Sequence, residues 1–466
     1  MRKQVSRRAL LRGMVGVGGA ALLAACGGGS QPAASNEAPA TSNEAPATSN
    51  ESPTSAPAVV SETGSTVEIT YWGSFSSSSG EAEQAIVDEF NASQSDVKVN
   101  YQYQGSYEDT AQKLTAGLQA RSVPEVCLLS DVWWFKFYLA EAIAPLNDLA
   151  QAEKVNLDDY EPVLLNEGLR NGKYYWIPFA RSTPLFYYNR DAWEEAGLPD
   201  RGPETWSELQ EWSEKLTKKD GDIITRAAFG HPNGASYVAW LFQGVVWQFG
   251  GQYSTPEFKI TLDDPNVARA SMMYHDSVNV DKWAIASQDL NKDFLGGAIC
   301  SMMASTGSLT GIERDAEFRV GTAFLPKETY FGCPTGGSGM AILSSVPAEK
   351  QQAAMKFVAY ATSPEKTTFW AKATGYMPVR KSAVTSDEMK AFFDEHPNFK
   401  VAVEQLPQTR AQDAARVFIP GGDQIIGKGL ERITLGGESP EPVWKEVTAE
   451  LEKAAAPVLR DLEAIS

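Results

Sequence analysis

The stretch VEITYW at residues 67–72 alternates apolar and polar side chains, which is typical of a β-strand. Residues 81–93 then repeat apolar side chains at helical spacing, and residues 97–103 alternate again. Residues 107–118 give a second amphipathic helix, and residues 124–129 form a short apolar strand. Strands that alternate with helices in this way predict parallel sheets covered by helices on both faces, so the sequence predicts an α/β fold.

The second half of the chain continues this alternation. Residues 183–188 are strand-like, and the capping box TWSE at residues 205–208 opens a helix. The segment SPE at residues 363–365 begins another helix, which Gly375 is expected to end. About 400 ordered residues from Thr66 onward are enough for two α/β lobes.

Composition narrows the classes of function. The net charge is -18, and such an acidic surface repels phosphate backbones, which argues against nucleic-acid binding. No CxxC or HExxH motif is present, so we expect no metal and no cofactor. Three cysteines remain besides Cys26. Either Cys300 and Cys333 form a disulfide, or these two residues and Cys127 are buried free thiols.

The beginning of the chain predicts export and lipidation. We interpret residues 1–25 as a signal peptide of the lipoprotein type, because SRRALL at residues 6–11 resembles a twin-arginine motif. LAACG at residues 23–27 resembles a lipobox, which would make Cys26 the lipidated N-terminus; ordinary secretory cleavage is the alternative. Residues 26–65 repeat SNEAPAT and lack large apolar side chains, which predicts a disordered tether.

Six further motifs occur along the folded part in a fixed order. They are GSYE at 105–108, PFARSTP at 178–184, YYNRDA at 187–192, ASTGSL at 304–309, GG at 336–337 and TGYMPV at 374–379. In this order the chain from Val67 to about Leu462 resembles family 1 extracellular solute-binding proteins of bacterial ABC importers. Within that family it is most similar to the glycerol-3-phosphate-binding and sugar-binding branch.

The resemblance implies a two-lobed periplasmic-binding-protein fold of type II, the Venus-flytrap form, with lobes joined by crossing hinge strands. We expect lobe one to comprise residues 66–181 plus 321–362, and lobe two residues 182–320 plus 363–466. Lobes that close on ligand give a shape that ABC permease subunits can recognise. The expected protein is a monomer, extracytoplasmic and lipid-anchored to the outer face of the cell membrane.

The resemblance also implies a ligand site between the lobes. Its residues in this sequence are Tyr107, Asp131, Ser182, Ser305, Gly337 and Tyr376. An arginine that holds phosphate in that branch aligns, with a gap, on Asp423. Four tryptophans are candidates for packing against a sugar ring, although aromatic side chains more often lie in a core: Trp133, Trp134, Trp240 and Trp247.

A carboxylate at position 423 repels phosphate, whereas carboxylates accept hydrogen bonds from sugar hydroxyls. We therefore expect a neutral carbohydrate or polyol as ligand. The alternative is glycerol-3-phosphate or a glycerophosphodiester, with Arg181 as the cation that pairs with it. A secreted lipoprotein hydrolase is the competing class of protein, but the sequence has no GxSxG elbow and contains only three histidines. We therefore predict a transport receptor with no catalytic residues.

Overall fold

The computed structural model describes residues 66–464 of the chain. The signal peptide, Cys26 and the tether predicted above lie outside these residues. The strands are β1 Val67–Gly73, β2 Val97–Tyr103, β3 Val126–Ser130, β4 Leu169–Arg170, β5 Lys173–Tyr174, β6 Ile177–Ser182, β7 Pro184–Asn189, β8 Lys218–Asp220, β9 Ile223–Arg226, β10 Phe229–Pro232, β11 Ala284–Ser287, β12 Ser301–Ser305, β13 Val320–Ala323 and β14 Gly336–Ile342.

The helices cover both sheets and make up most of the second half of the chain. They are α1 Ser77–Ser93, α2 Tyr107–Ala120, α3 Trp134–Leu139, α4 Asn147–Ala152, α5 Pro162–Leu165, α6 Arg190–Glu195, α7 Trp206–Leu216, α8 Ala235–Gln248, α9 Pro265–Asn279, α10 Leu290–Leu295, α11 Leu309–Asp315, α12 Ala348–Ala361, α13 Pro364–Thr374, α14 Lys381–Val384, α15 Asp387–Glu395, α16 Pro397–Gln405, α17 Ala414–Val417, α18 Gly422–Thr434 and α19 Pro440–Ala464.

Two five-stranded sheets form the centres of two lobes. The first has the order β2-β1-β3-β14-β6, in which β1 runs parallel to β2 and β3 while β14 is antiparallel to both of its neighbours. The second has the order β11-β10-β12-β7-β13. The inner strands β3 and β7 are buried and read as nearly continuous apolar runs, as expected where helices cover both faces of a sheet. The predicted α/β fold with two lobes is confirmed.

The chain crosses between the sheets at Thr183, between β6 and β7, and again through residues 324–335. Strand β13 pairs with β7 in the second sheet, so lobe two extends to Ala323 and the expected boundary after residue 320 was too early. Helix α13 belongs with lobe one rather than lobe two, because its Trp370 packs on Phe75 and Phe179 at 5.2 Å and 4.7 Å between ring centroids.

The last helix, α19, contacts both lobes. Its Trp444 stacks on Phe242 in the core of lobe two, whereas Val458 packs in a cluster with Leu114 and Phe137 of lobe one. Within residues 66–464, no helix combines the length and the apolar character needed to cross a membrane. The three cysteines of this part are buried free thiols, so Cys300 and Cys333 are not paired.

Candidate functional site

A cavity of about 800 Å³ lies between the two lobes. Side chains from both sheets and from the C-terminal helices line it. Nine of the twelve candidate ligand-binding residues predicted from the sequence are in its wall, namely Tyr107, Asp131, Trp133, Ser182, Trp240, Ser305, Gly337, Tyr376 and Asp423. The structure therefore brings together residues that are separated by more than 300 positions in the sequence.

Tyr107 is placed by the first turn of α2. The Ser106 side chain and Asp109 form a reciprocal capping box, which fixes where this helix begins. The Tyr107 hydroxyl then donates a hydrogen bond to Ser338 Oγ at 3.0 Å. The ring of Phe75 packs against Tyr107 at 5.9 Å and against Tyr376 at 5.7 Å, so the two tyrosines share one supporting side chain.

Gly337 lets the hinge strand approach its neighbour closely. Its φ is +106°, and a Cβ added there would lie 2.1 Å from the carbonyl oxygen of Ala180. A side chain would therefore separate β14 from β6 at the irregular point of their pairing. The Gly337 carbonyl accepts a hydrogen bond from the Asp131 backbone N–H at 3.0 Å, which holds Asp131 at the end of β3.

The wall from lobe two is built around Ser305 and Trp240. The Ser305 side chain accepts from the Gly307 N–H, and the Ser305 N–H donates to the Tyr237 hydroxyl at 2.8 Å. The Trp240 indole donates to the Thr335 carbonyl at 2.9 Å, in the second crossing segment. These hydrogen bonds hold Ser305 and the Trp240 ring in fixed orientations without any contribution from ligand.

Arg181 does not line the cavity. It is fully buried, forms an ion pair with Glu167 at 2.6 Å and lies over the ring of Trp176. Burial raises the pKa of Glu167 above its ordinary value, and Arg181 opposes that shift. The structure therefore places Arg181 behind the wall, with its charge paired to Glu167, and not among the residues that line the cavity.

A different arginine, which the sequence analysis missed, occupies the cavity wall. Arg416 is only 5% exposed. Its guanidinium donates to Gln412 Oε1 and, at 3.1 Å, to the carbonyl of Ser236. Within residues 66–464 no carboxylate forms a salt bridge with Arg416, and its Nε has no hydrogen-bond partner. The cleft therefore contains a guanidinium that no carboxylate of the described chain neutralises.

Comparison with known proteins agrees with this geometry. A family model described as bacterial extracellular solute-binding protein matches residues 85–401. The chain belongs to this family. The sn-glycerol-3-phosphate-binding periplasmic protein UgpB of Yersinia enterocolitica is 26% identical over 395 residues, which are 80% of this chain and 89% of that protein.

Solved structures similar to this chain are also solute-binding proteins. UgpB from Mycobacterium tuberculosis in complex with glycerophosphocholine is 40% identical, with a TM-score of 0.80 over 84% of this chain and 99% of that one. The cyclic alpha-maltosyl-1,6-maltose binding protein of Arthrobacter globiformis shares the fold, with 23% identity, a TM-score of 0.71, and coverage of 85% and 100%. The protein is thus the extracytoplasmic substrate-binding component of an ABC importer and not an enzyme, as predicted. Such solute-binding proteins deliver small molecules to ABC permeases.

In this solute-binding protein, two of the candidate tryptophans lie away from the ligand cavity. Trp134 is buried and stacks on Trp176 in lobe one, and the Trp247 indole donates to Asp413 at 3.0 Å in lobe two. Trp133 and Trp240 remain in the wall. Asp423 also lies there, in the first turn of α18, and the basic residues of the wall are Arg416, seven positions earlier, and Lys136.

Proposed function

We propose that this protein captures a polyol that carries a phosphate, of the glycerophosphodiester class, and delivers it to its permease. The observation that carries the proposal is Arg416, a buried guanidinium in the cavity wall without a carboxylate partner. A buried charge is costly unless an opposite charge compensates it, and guanidinium groups bind phosphate oxygens in two parallel hydrogen bonds. A phosphate group on a polyol ligand would supply such a partner.

The rest of the cavity suits the hydroxyl groups of the same ligand. Asp131 and Asp423 accept hydrogen bonds, and Ser182 and Ser305 can both donate and accept them. The relative from M. tuberculosis, which is bound to glycerophosphocholine, supports this class of ligand. The aromatic face of Trp240 would suit a cationic head group on the diester.

A neutral carbohydrate is the second candidate. The observation in its favour is that both carboxylates and two of the four tryptophans predicted for a sugar site, Trp133 and Trp240, line the cavity. Carboxylates bind sugar hydroxyls, and aromatic rings pack on the C–H faces of a sugar. In this alternative Arg416 would donate hydrogen bonds to hydroxyl oxygens.

The experiment is a thermal-shift screen followed by titration calorimetry on the purified protein. The panel contains glycerophosphodiesters, glycerol-3-phosphate, glycerol and mono- and disaccharides. We expect glycerophosphodiesters to raise the melting temperature by mass action, and glycerol alone to have little effect. A shift with saccharides only would contradict the phosphate assignment and favour the carbohydrate. Recovery of the ligand unchanged after incubation separates this function from that of a hydrolase.

We also propose that residues 1–25 are removed and that Cys26 carries the lipid that anchors a monomer to the outer face of the cell membrane, with residues 26–65 as tether. The lipobox-like LAACG at residues 23–27 supports this proposal. Labelling cells with an alkyne fatty acid tests it. The wild-type protein should incorporate the label and a Cys26→Ser variant should not, whereas equal labelling of both would contradict lipidation at this residue.

A further inference from the structure

A segment of lobe two, residues 410–418, crosses the space between the lobes, and we name it the strap. Asp413 fixes it to lobe two, because its carboxylate accepts from the Trp247 indole at 3.0 Å and from the Tyr253 N–H at 2.8 Å. The Asp413 N–H donates to Gln243 Oε1 at 2.9 Å. Both the backbone and the side chain of Asp413 are thus bonded to lobe two, which attaches the strap to that lobe.

Two side chains of the strap contact lobe one. Gln412 Nε2 donates to Asp131 Oδ2 at 2.5 Å. The ring centroid of Phe418 lies 4.4 Å from that of Phe135, and the guanidinium carbon of Arg170 lies 4.4 Å from the centroid of the Phe418 ring. The strap therefore joins the lobes through one polar and one aromatic contact.

Gln412 does not line the ligand cavity, unlike Arg416, Val417 and Phe418 of the same strap. It is 8% exposed, and its amide oxygen accepts from Arg416 while its amide nitrogen donates to Asp131. Two charged groups of opposite sign, one from each lobe, are thus linked by a neutral amide. This spacing keeps Asp131 and Arg416 from forming a direct ion pair, which would neutralise the charge available to ligand.

We propose that Gln412 is a positioning residue that latches the two lobes together and thereby sets the affinity for every ligand of the cleft. The bonds of Gln412 are made by protein atoms alone, so they favour closure before ligand contributes. Apparent affinity scales with the fraction of molecules in the binding-competent closed form. Loss of a buried hydrogen bond to charged groups therefore weakens binding roughly ten- to a hundredfold, by a similar factor for each ligand.

The test is Gln412→Leu, which keeps the volume and removes both bonds. The matched control is Gln352→Leu, because Gln352 donates to a carboxylate, Glu153, at 2.6 Å within lobe one. Small-angle scattering of the purified protein without ligand should show a larger radius of gyration for Gln412→Leu than for the wild type or the control. Calorimetry should show that Gln412→Leu binds two ligands with different head groups more weakly than the wild type does, by the same factor for each ligand. An unchanged radius together with unchanged affinity would overturn the proposal.

A second variant separates the latch from a loss of folding. In Gln412→Glu, two carboxylates face each other across the lobes, so the scattering radius should increase again. The double variant Asp131→Asn/Gln412→Glu reverses the polarity of the bond and should restore the wild-type radius. Failure of the double variant to restore closure would contradict the latch.

The proposal rests on the proposed function only in placing ligand in this cleft. The scattering result needs no ligand, so it is informative even if the glycerophosphodiester assignment fails. Conversely, a glycerophosphodiester that binds equally well to the wild type and Gln412→Leu would sustain the proposed function and overturn the latch. Loss of affinity for one ligand class alone would also overturn it, since that pattern indicates direct contact.

Discussion

Replacing the buried carboxyl group of Glu83 should change how stability depends on pH. Glu83 lies on α1 and is 1% exposed. Its carboxyl group accepts hydrogen bonds from the hydroxyls of Tyr71 and Tyr101, the latter at 2.6 Å. Burial raises the pKa of Glu83 from 4.5 to about 7, although both tyrosine bonds lower it.

The direction of the effect follows from proton linkage. The folded protein binds the Glu83 proton more tightly than the unfolded chain does, so this group favours folding fully below pH 4.5. That contribution is lost as the pH rises from 4.5 through about 7. The rise in the pKa of Glu83 from 4.5 to about 7 corresponds to on the order of 3 kcal/mol of unfolding free energy.

The assay is urea unfolding of the wild type and Glu83→Gln at several pH values between 4.5 and 8. The amide does not titrate, so the difference in unfolding free energy between the two proteins should change by about 3 kcal/mol across this window, in favour of the variant at high pH. Glu81→Gln, an exposed position on the same helix, should show no such change. A difference between wild type and Glu83→Gln that stays constant from pH 4.5 to 8 would refute the reasoning.

Two further predictions concern the ligand site. Arg416→Gln should weaken binding of a glycerophosphodiester roughly ten- to a hundredfold, because hydrogen bonds to charged groups contribute about 1.5–3 kcal/mol. Calorimetric titration of a neutral polyol should show unchanged affinity. Equal losses of affinity for both ligands would contradict phosphate binding by Arg416. Gly337→Ala should lower the unfolding free energy by at least about 2 kcal/mol, because the φ of +106° and the Ala180 carbonyl both oppose a Cβ. Gly311→Ala, where a Cβ has open space within a helix, should be neutral or stabilising, and an equal loss there would argue against a local clash.

The sequence predicted the parts of the site that follow from local motifs. Ser305 belongs to a turn in which its side chain caps the next residues, and Gly337 belongs to a glycine pair at a hinge strand, so each motif fixes its own backbone geometry. Tyr107 begins a helix whose capping box is visible in the sequence. For such residues the local sequence determines the backbone geometry, and the tertiary fold determines only which of these segments meet in the cavity.

Arg416 was missed for a physical reason. It sits in the short helix α17, before the turn that leads into α18. Its place in the wall depends on a bond to the nearby Gln412 and on a bond to Ser236, which is 180 positions earlier in the chain. No local pattern distinguishes it from Arg410, six positions earlier. The gapped alignment therefore selected Asp423, which does line the cavity but offers the opposite charge.

The positions of the site residues relative to the hinge explain how binding couples to closure. Ser182 ends β6 just before the first crossing, and Gly337 lies just after the second crossing. Residues beside a hinge axis move least when the lobes separate, so these two can contact ligand in an open protein. Arg416 moves with the strap of lobe two and Asp131 with lobe one, so their contacts to one ligand are complete only on closure. A ligand that spans both, with hydroxyls for Asp131 and an anion for Arg416, therefore binds the closed form selectively, and that differential affinity is what drives the closing of the lobes.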